Sequence, residues 1–129
     1  MSRRWRLVAA WSVLLWLLGC ATASPLATQD KDRASLAGVW EEEWSGQTPK
    51  DRYRITVAAD EVTVTPLTNA EKQKVRHVAF AYKRLSFYLD LTGGAVYYDL
   101  ILANKNLLSG RVKGGAKNFD ELVRWYRVE

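Results

Sequence analysis

His77 is the only histidine in this chain of 129 residues and Cys20 the only cysteine, so a metal site built from several imidazoles or thiolates is excluded. Ser109, His77 and Asp99 supply the residue types of a hydrolytic triad, yet no nucleophile-elbow spacing surrounds the serine. The carboxylates are more informative. Glu41, Glu42 and Glu43 are consecutive, and strand alternation sends Glu42 to the face of Trp40 and Trp44 while its two neighbours point away. If that face is the interior, Glu42 is a buried acid that serves either as partner for an arginine or as polar anchor for a ligand. If the strand end frays, all three are solvated. The residues therefore argue against an enzyme, imply no metal and no cofactor, and leave binding as the chemistry to be explained.

The elements that must position these residues are short runs rich in Val, Tyr, Trp, Phe and Leu, separated by turn residues at the spacing of an antiparallel meander. Eight are predicted: 36–44, 52–58, 61–65, 75–82, 85–91, 95–103, 107–113 and 121–128. Ala59-Asp60 forms a tight hairpin candidate, Thr92-Gly93-Gly94 and Gly114-Gly115 supply positive-φ positions, and Asn104-Lys105-Asn106 tolerates a left-handed turn. Tyr53, Ile55 and Val57 share one face, as do Leu85, Phe87, Leu89 and Leu91. Residues 95–103 are apolar on both faces, with Tyr97 and Ile101 outward, which points to cover by a partner or a membrane surface. Over 69–84 two readings compete. Thr68-Asn69-Ala70-Glu71 reads as a capping box and Val75, Val78, Ala79 and Tyr82 recur at helical spacing, whereas the β-prone Val75, Val78, Phe80 and Tyr82 favour a helical turn near 70–74 followed by a strand. The expected fold is all-β, an eight-stranded antiparallel up-and-down barrel.

Such a barrel is wide enough to be filled by side chains or to hold one small ligand. Trp44, Tyr53, Phe80, Tyr82, Phe87 and Tyr98 are the aromatics expected to line its interior, as ligand walls or as core. Their bulk favours a filled interior, because each consumes volume that a guest needs.

The amino terminus is of another kind. Arg3, Arg4 and Arg6 precede the apolar run Leu7 to Leu18, the layout of a secretory signal and too short for a spanning helix. The run ends in Leu17-Leu18-Gly19-Cys20, which resembles the lipobox of bacterial lipoproteins. The resemblance implies cleavage before Cys20, a diacylglyceryl group on its thiol and an acylated amino group, with several chains holding the domain to a lipid bilayer. Ala21, where an aspartate is absent, resembles the signal for the periplasmic face of the outer membrane in a diderm; in an organism with one membrane the domain faces outward. The expected organisation is a signal peptide over 1–19, a lipidated cysteine with flexible tether over 20–34 and a barrel over 35–129. Residues 21–34 repeat with no period, and as a coil reach roughly 20 Å.

Charge follows the same division. The chain carries 19 Lys and Arg against 14 acids, and three of the cations lie in the signal, leaving sixteen against fourteen, about +2. The remaining charges alternate in sign, so no basic face for nucleic acid is expected. With no cysteine beyond Cys20, an intramolecular disulfide is excluded and the domain rests on its core.

Gly38-Val39-Trp40 at the start of the first strand resembles the Gly-x-Trp motif of the calycins, the small barrels that include lipocalins and fatty-acid-binding proteins. The resemblance implies that Trp40 closes one barrel end against an arginine of the last strand, for which Arg124 and Arg127 are the candidates. It extends over most of 36–128, including Leu107 to Val112 as the penultimate strand. Two functions follow: a lipid-anchored barrel that binds a small hydrophobic ligand, or a solid scaffold that binds another envelope protein. The near-neutral charge of the exported part weakens a basic target such as lysozyme.

Overall fold

Alternation of buried and exposed side chains sets nearly every strand beyond Gly38. The computed structural model describes residues 25–44, 50–116 and 118–129. A helix α1 (Pro25–Ser35) precedes β1 (Gly38–Glu43), β2 (Arg52–Ala58), β3 (Glu61–Pro66), a single 3-10 turn (Ala70–Lys72), β4 (Lys74–Ala81), β5 (Arg84–Leu91), β6 (Gly94–Asn104), β7 (Leu107–Gly114) and β8 (Phe119–Arg127). All strand pairs are antiparallel, in the lateral order β3-β2-β1-β8-β7-β6-β5-β4. The chain is thus an all-β, up-and-down, nearly closed barrel, an architecture consistent with the calycin fold. The first and last strands are hydrogen-bonded to each other, with Trp40 opposite Arg127, and the remaining gap lies between β3 and β4.

The turns follow local chemistry. Ala59 takes φ 54° in the two-residue turn between paired Ala58 and Glu61, and Gly114 and Gly115 take the positive φ values that open the last connection. Over 69–84 the strand reading holds, but the capping box does not form. Asn69 makes no side-chain cap bond, and the Thr68 hydroxyl instead accepts from the Arg52 N–H at 3.1 Å. Within β4 the register slips between Arg76 and Ala79, where His77 takes φ 54°. This bulge, together with Pro66 at the end of β3, blunts the two strands that border the gap.

The interior is packed with rings. Tyr53 stacks on Trp125 at 4.3 Å between centroids and Phe87 on Tyr98 at 4.7 Å, while Leu85, Leu100, Leu108 and Val112 are fully buried around them. A close approach of β6 and β7 helps: a Cβ on Gly110 would collide with the Asp99 carbonyl and the Leu100 backbone.

Two expectations about this part of the chain need correction. Tyr82 is not interior; it is 81% exposed, because it and Lys83 adopt left-handed φ values of 52° and 65° in the β4–β5 turn. The coil expected over 21–34 is, in its described part, the helix α1. Pro25 opens it at a position where its missing N–H is harmless, and its end is held by tertiary contacts, with Leu36 fully buried and the Ser35 carbonyl bonded to Arg127. The signal over 1–19, Cys20 and positions 21–24 lie outside the described residues.

Closure rests on one cluster. The Arg127 guanidinium lies 4.4 Å from the centroid of the Trp40 ring. It donates to the Ala37 carbonyl at 2.6 Å, the Lys105 carbonyl at 2.8 Å and the Ser35 carbonyl, and Trp40 Nε1 donates to the Leu36 carbonyl at 2.9 Å. Arg127 therefore plays the closing part; Arg124 sits exposed opposite Glu43. Gly38 makes this possible, since a Cβ there would meet Arg127 Nη1 and the Glu129 carbonyl, and its φ of 146° disfavours any side chain. Gly38→Ala is expected to destabilise the fold by about 2 kcal/mol or more, read as a lower urea midpoint with an unchanged m-value.

Candidate functional site

The alternation that fills the middle of the barrel runs out at one end, and there the inward positions turn polar. The last inward residues of β1 and β5, the first of β2 and β6, and the residue before β4 converge on a cavity of about 230 Å³. It is lined by Glu42, Trp44, Asp51, Tyr53, Gln73, Leu89, Leu91, Val96 and Tyr98. Antiparallel order explains the convergence, because the end of each odd strand here lies beside the start of its even neighbour. That volume equals about eight liquid waters at ~30 Å³ each, below the usual range for drug-sized ligands.

Glu42 lies at its floor, only 4% exposed. Its Oε1 accepts from the Tyr98 hydroxyl at 2.6 Å and from Trp125 Nε1 at 3.1 Å, and its N–H donates to the Asp51 carbonyl at 2.7 Å. Glu41, on the opposite face, pairs instead with Arg52 at 3.1 Å and Lys50 at 3.8 Å. Of the two roles open to a buried Glu42, the arginine partnership is thus absent among the described residues, and tyrosine and tryptophan donors take its place.

Burial pushes the Glu42 carboxyl above its ordinary value. Hydrogen bonds from Tyr98 and Trp125 and the nearby Trp44 indole offset only part of that rise, and the Asp51 charge adds to it. Burial raises Asp51 as well. The hydroxyls of Tyr53 and Tyr98 are pushed far above the usual phenol value, first by burial and then by the surrounding negative charge, so both stay protonated.

Trp44 Nε1, the Tyr53 hydroxyl and Gln73 Oε1 are buried and complete no well-formed hydrogen bond, although the Trp44 indole lies near the Glu42 carboxyl and the Tyr53 hydroxyl near Tyr98 and Glu42, close enough to influence their protonation. All three belong to residues lining this cavity. A fourth such atom, Asp99 Oδ1, has Arg84 Nε 2.8 Å away. An unmatched buried polar group costs about 1–3 kcal/mol, and three of these atoms gather at this one cavity.

Of the six aromatics expected inside, Trp44, Tyr53 and Tyr98 line this cavity. Phe87 is fully buried in the filled core. Phe80 is half-buried and lines a second, wider cavity of about 460 Å³ in the gap between β3 and β4, with Val62, Val64, Val75 and Val78. Asp51 and Gln73 escaped the sequence reading. The signal for both was the strand period itself, since Asp51 precedes Tyr53 by two residues and Gln73 precedes Val75 by two.

The chain does not assemble its triad-forming types. His77 packs edge-on against Tyr88 at 6.1 Å, Asp99 is ion-paired to Arg84, and Ser109 sits opposite Ile101 and Arg124. Among the described residues no group of three His, Cys, Asp or Glu gathers to hold a metal ion. Of the outer apolar positions, Tyr97 packs on Tyr88 at 5.0 Å between ring centroids and Tyr88 lies under the Arg76 guanidinium, while Asp99 with its arginine stands between Tyr97 and Ile101 along β6.

Because Glu42 has a raised pKa only when folded, the native state between the ordinary carboxylate pKa and the folded one holds a proton that the unfolded chain has lost. Stability therefore falls as pH rises through that window. Glu42→Gln keeps an acceptor for Tyr98 and Trp125 and carries no charge. Its melting temperature relative to the native chain is expected to climb as pH increases from about 4 to 8, and a difference independent of pH would contradict the assignment.

A scan of protein-family models matches none of them to this chain, and searches of the curated proteins and of the solved structures find no significant match.

Proposed function

We propose that this chain is an exported lipoprotein, anchored through Cys20, whose barrel binds a small molecule in the cavity floored by Glu42 without turning it over chemically. The observation that carries the binding reading is the gathering around that cavity of three buried polar atoms that complete no well-formed hydrogen bond. A barrel that served only as a solid scaffold would have no use for them, since filling the end with apolar side chains would remove their cost. The limited volume narrows the guest. A long acyl chain does not fit beside the stacked rings, so the ligand is a compact molecule with an apolar portion against Leu89, Leu91 and Val96 and polar atoms toward Glu42, Tyr53 and Gln73.

The anchoring part of the reading rests on the resemblance of Leu17-Leu18-Gly19-Cys20 to a lipobox and on the charged and apolar layout before it. Among the described residues no helix is long and apolar enough to cross a membrane.

Comparing the mass of the domain under native and denaturing conditions tests the binding reading. A stoichiometric guest released on denaturation is the expected result, and Leu91→Trp, which fills the cavity mouth from a partly exposed position, is expected to abolish it. An empty domain that also takes up no member of a small-molecule library would overturn the reading and move attention to the outer face. For the anchor, Cys20→Ala is expected to eliminate incorporation of labelled palmitate and to release the chain from the membrane fraction.

A further inference from the structure

Among the described acids five have a basic partner, while others such as Asp60, Glu61, Glu71 and Glu121 are exposed to solvent. Asp30, Glu41, Asp90, Asp99 and Asp120 each lie within 4 Å of an arginine or lysine nitrogen. The two carboxyls of the end cavity, Glu42 and Asp51, form no such pair among the described residues, and none of the nine residues lining the cavity is basic. Two acids in a partly dry pocket with no positive charge to balance them are unfavourable for folding alone.

The rest of the lining supplies what a positive guest requires. The rings of Trp44, Tyr53 and Tyr98 surround the acids, and aromatic rings stabilise ammonium groups through their negative faces. Both hydrogen bonds to Glu42 fall on Oε1, so Oε2 accepts neither of them. Gln73 Oε1, another acceptor, has no partner, and the Tyr53 hydroxyl, on a side chain only 1% exposed, lies near Tyr98 and Glu42 without completing a well-formed hydrogen bond. An inorganic ion would find too few hard ligands here and an apolar wall of Leu89, Leu91 and Val96 facing it.

We infer that the guest of the end cavity is a small organic cation, an amine or quaternary ammonium compound whose charge lies between Glu42 and Asp51 and whose carbon groups lie against the aromatic and aliphatic wall. This inference rests on the ligand-binding reading of the same cavity. A cation entering the site would draw both carboxyls toward the charged form, opposing the rise that burial imposes on them.

The test is calorimetric titration of the folded domain with choline and with its neutral isostere 3,3-dimethylbutan-1-ol, which share a shape and differ in charge. Choline is expected to bind at least tenfold more tightly, and Glu42→Gln is expected to erase that preference. Asp51→Asn, at a half-buried position that perturbs folding less, should reduce it and serves if Glu42→Gln fails to fold. Equal affinity for the two probes would overturn the cation while leaving the ligand-binding reading standing. Failure of both probes to bind would also overturn it, and the native mass measurement then decides the wider reading separately. Displacement of choline by equimolar potassium or magnesium would show that the site takes any cation, and would overturn an organic guest.

Discussion

Arg127 over Trp40 is the contact on which the barrel depends. Its guanidinium faces the indole and reaches carbonyls of Ser35, Ala37 and Lys105, so one side chain ties the last strand to the first strand, to the segment leaving the helix and to the β6–β7 turn. The planar fork of arginine suits this, since several N–H groups diverge toward separate acceptors. Gly38 is the complementary constraint, because the space where its Cβ would stand is occupied by the arginine and by the Glu129 carbonyl. A Gly-x-Trp motif therefore has a steric meaning here: the glycine admits the cation that the tryptophan holds.

Closure in turn creates the polar floor of the cavity. Glu42 and Trp125 face each other across the β1–β8 junction, and only with that junction formed can Trp125 Nε1 donate to the carboxylate while Tyr98 approaches from the far wall. The stacked pairs Tyr53–Trp125 and Phe87–Tyr98 then fill the barrel behind Glu42. The question whether the interior is solid or hollow has a divided answer: solid in the middle, open at one end, with a buried acid at the boundary.

Much of this was legible in the sequence because it is local. The eight strands fall within a few residues of their expected bounds, since alternation and turn residues act over short distances, and Glu42 was readable as inward from Trp40. Nonlocal features were not legible. The gap between β3 and β4 depends on lateral spacing that no single strand encodes. Tyr82 was misplaced because the hairpin takes it as a left-handed turn residue, overriding its place in the alternation. Helix α1 has a polar sequence with no period to reveal it, and the Arg127 bonds to Ser35 and Ala37 that hold its end come from some ninety residues along the chain. Between Arg124 and Arg127, composition offered no choice; register decided.

The gap between β3 and β4 has a consequence for how the chain reaches this state. Six of the seven strand pairings join neighbours in sequence, and only β1 with β8 does not. The molecule is thus two meanders, one of three strands and one of five, each able to zip from its own hairpins. A single long-range docking event then joins them, and its loop-closure entropy grows only slowly with the length of chain enclosed. The pairing that brings Trp40 beneath Arg127 is thus the one strand contact that no hairpin can supply.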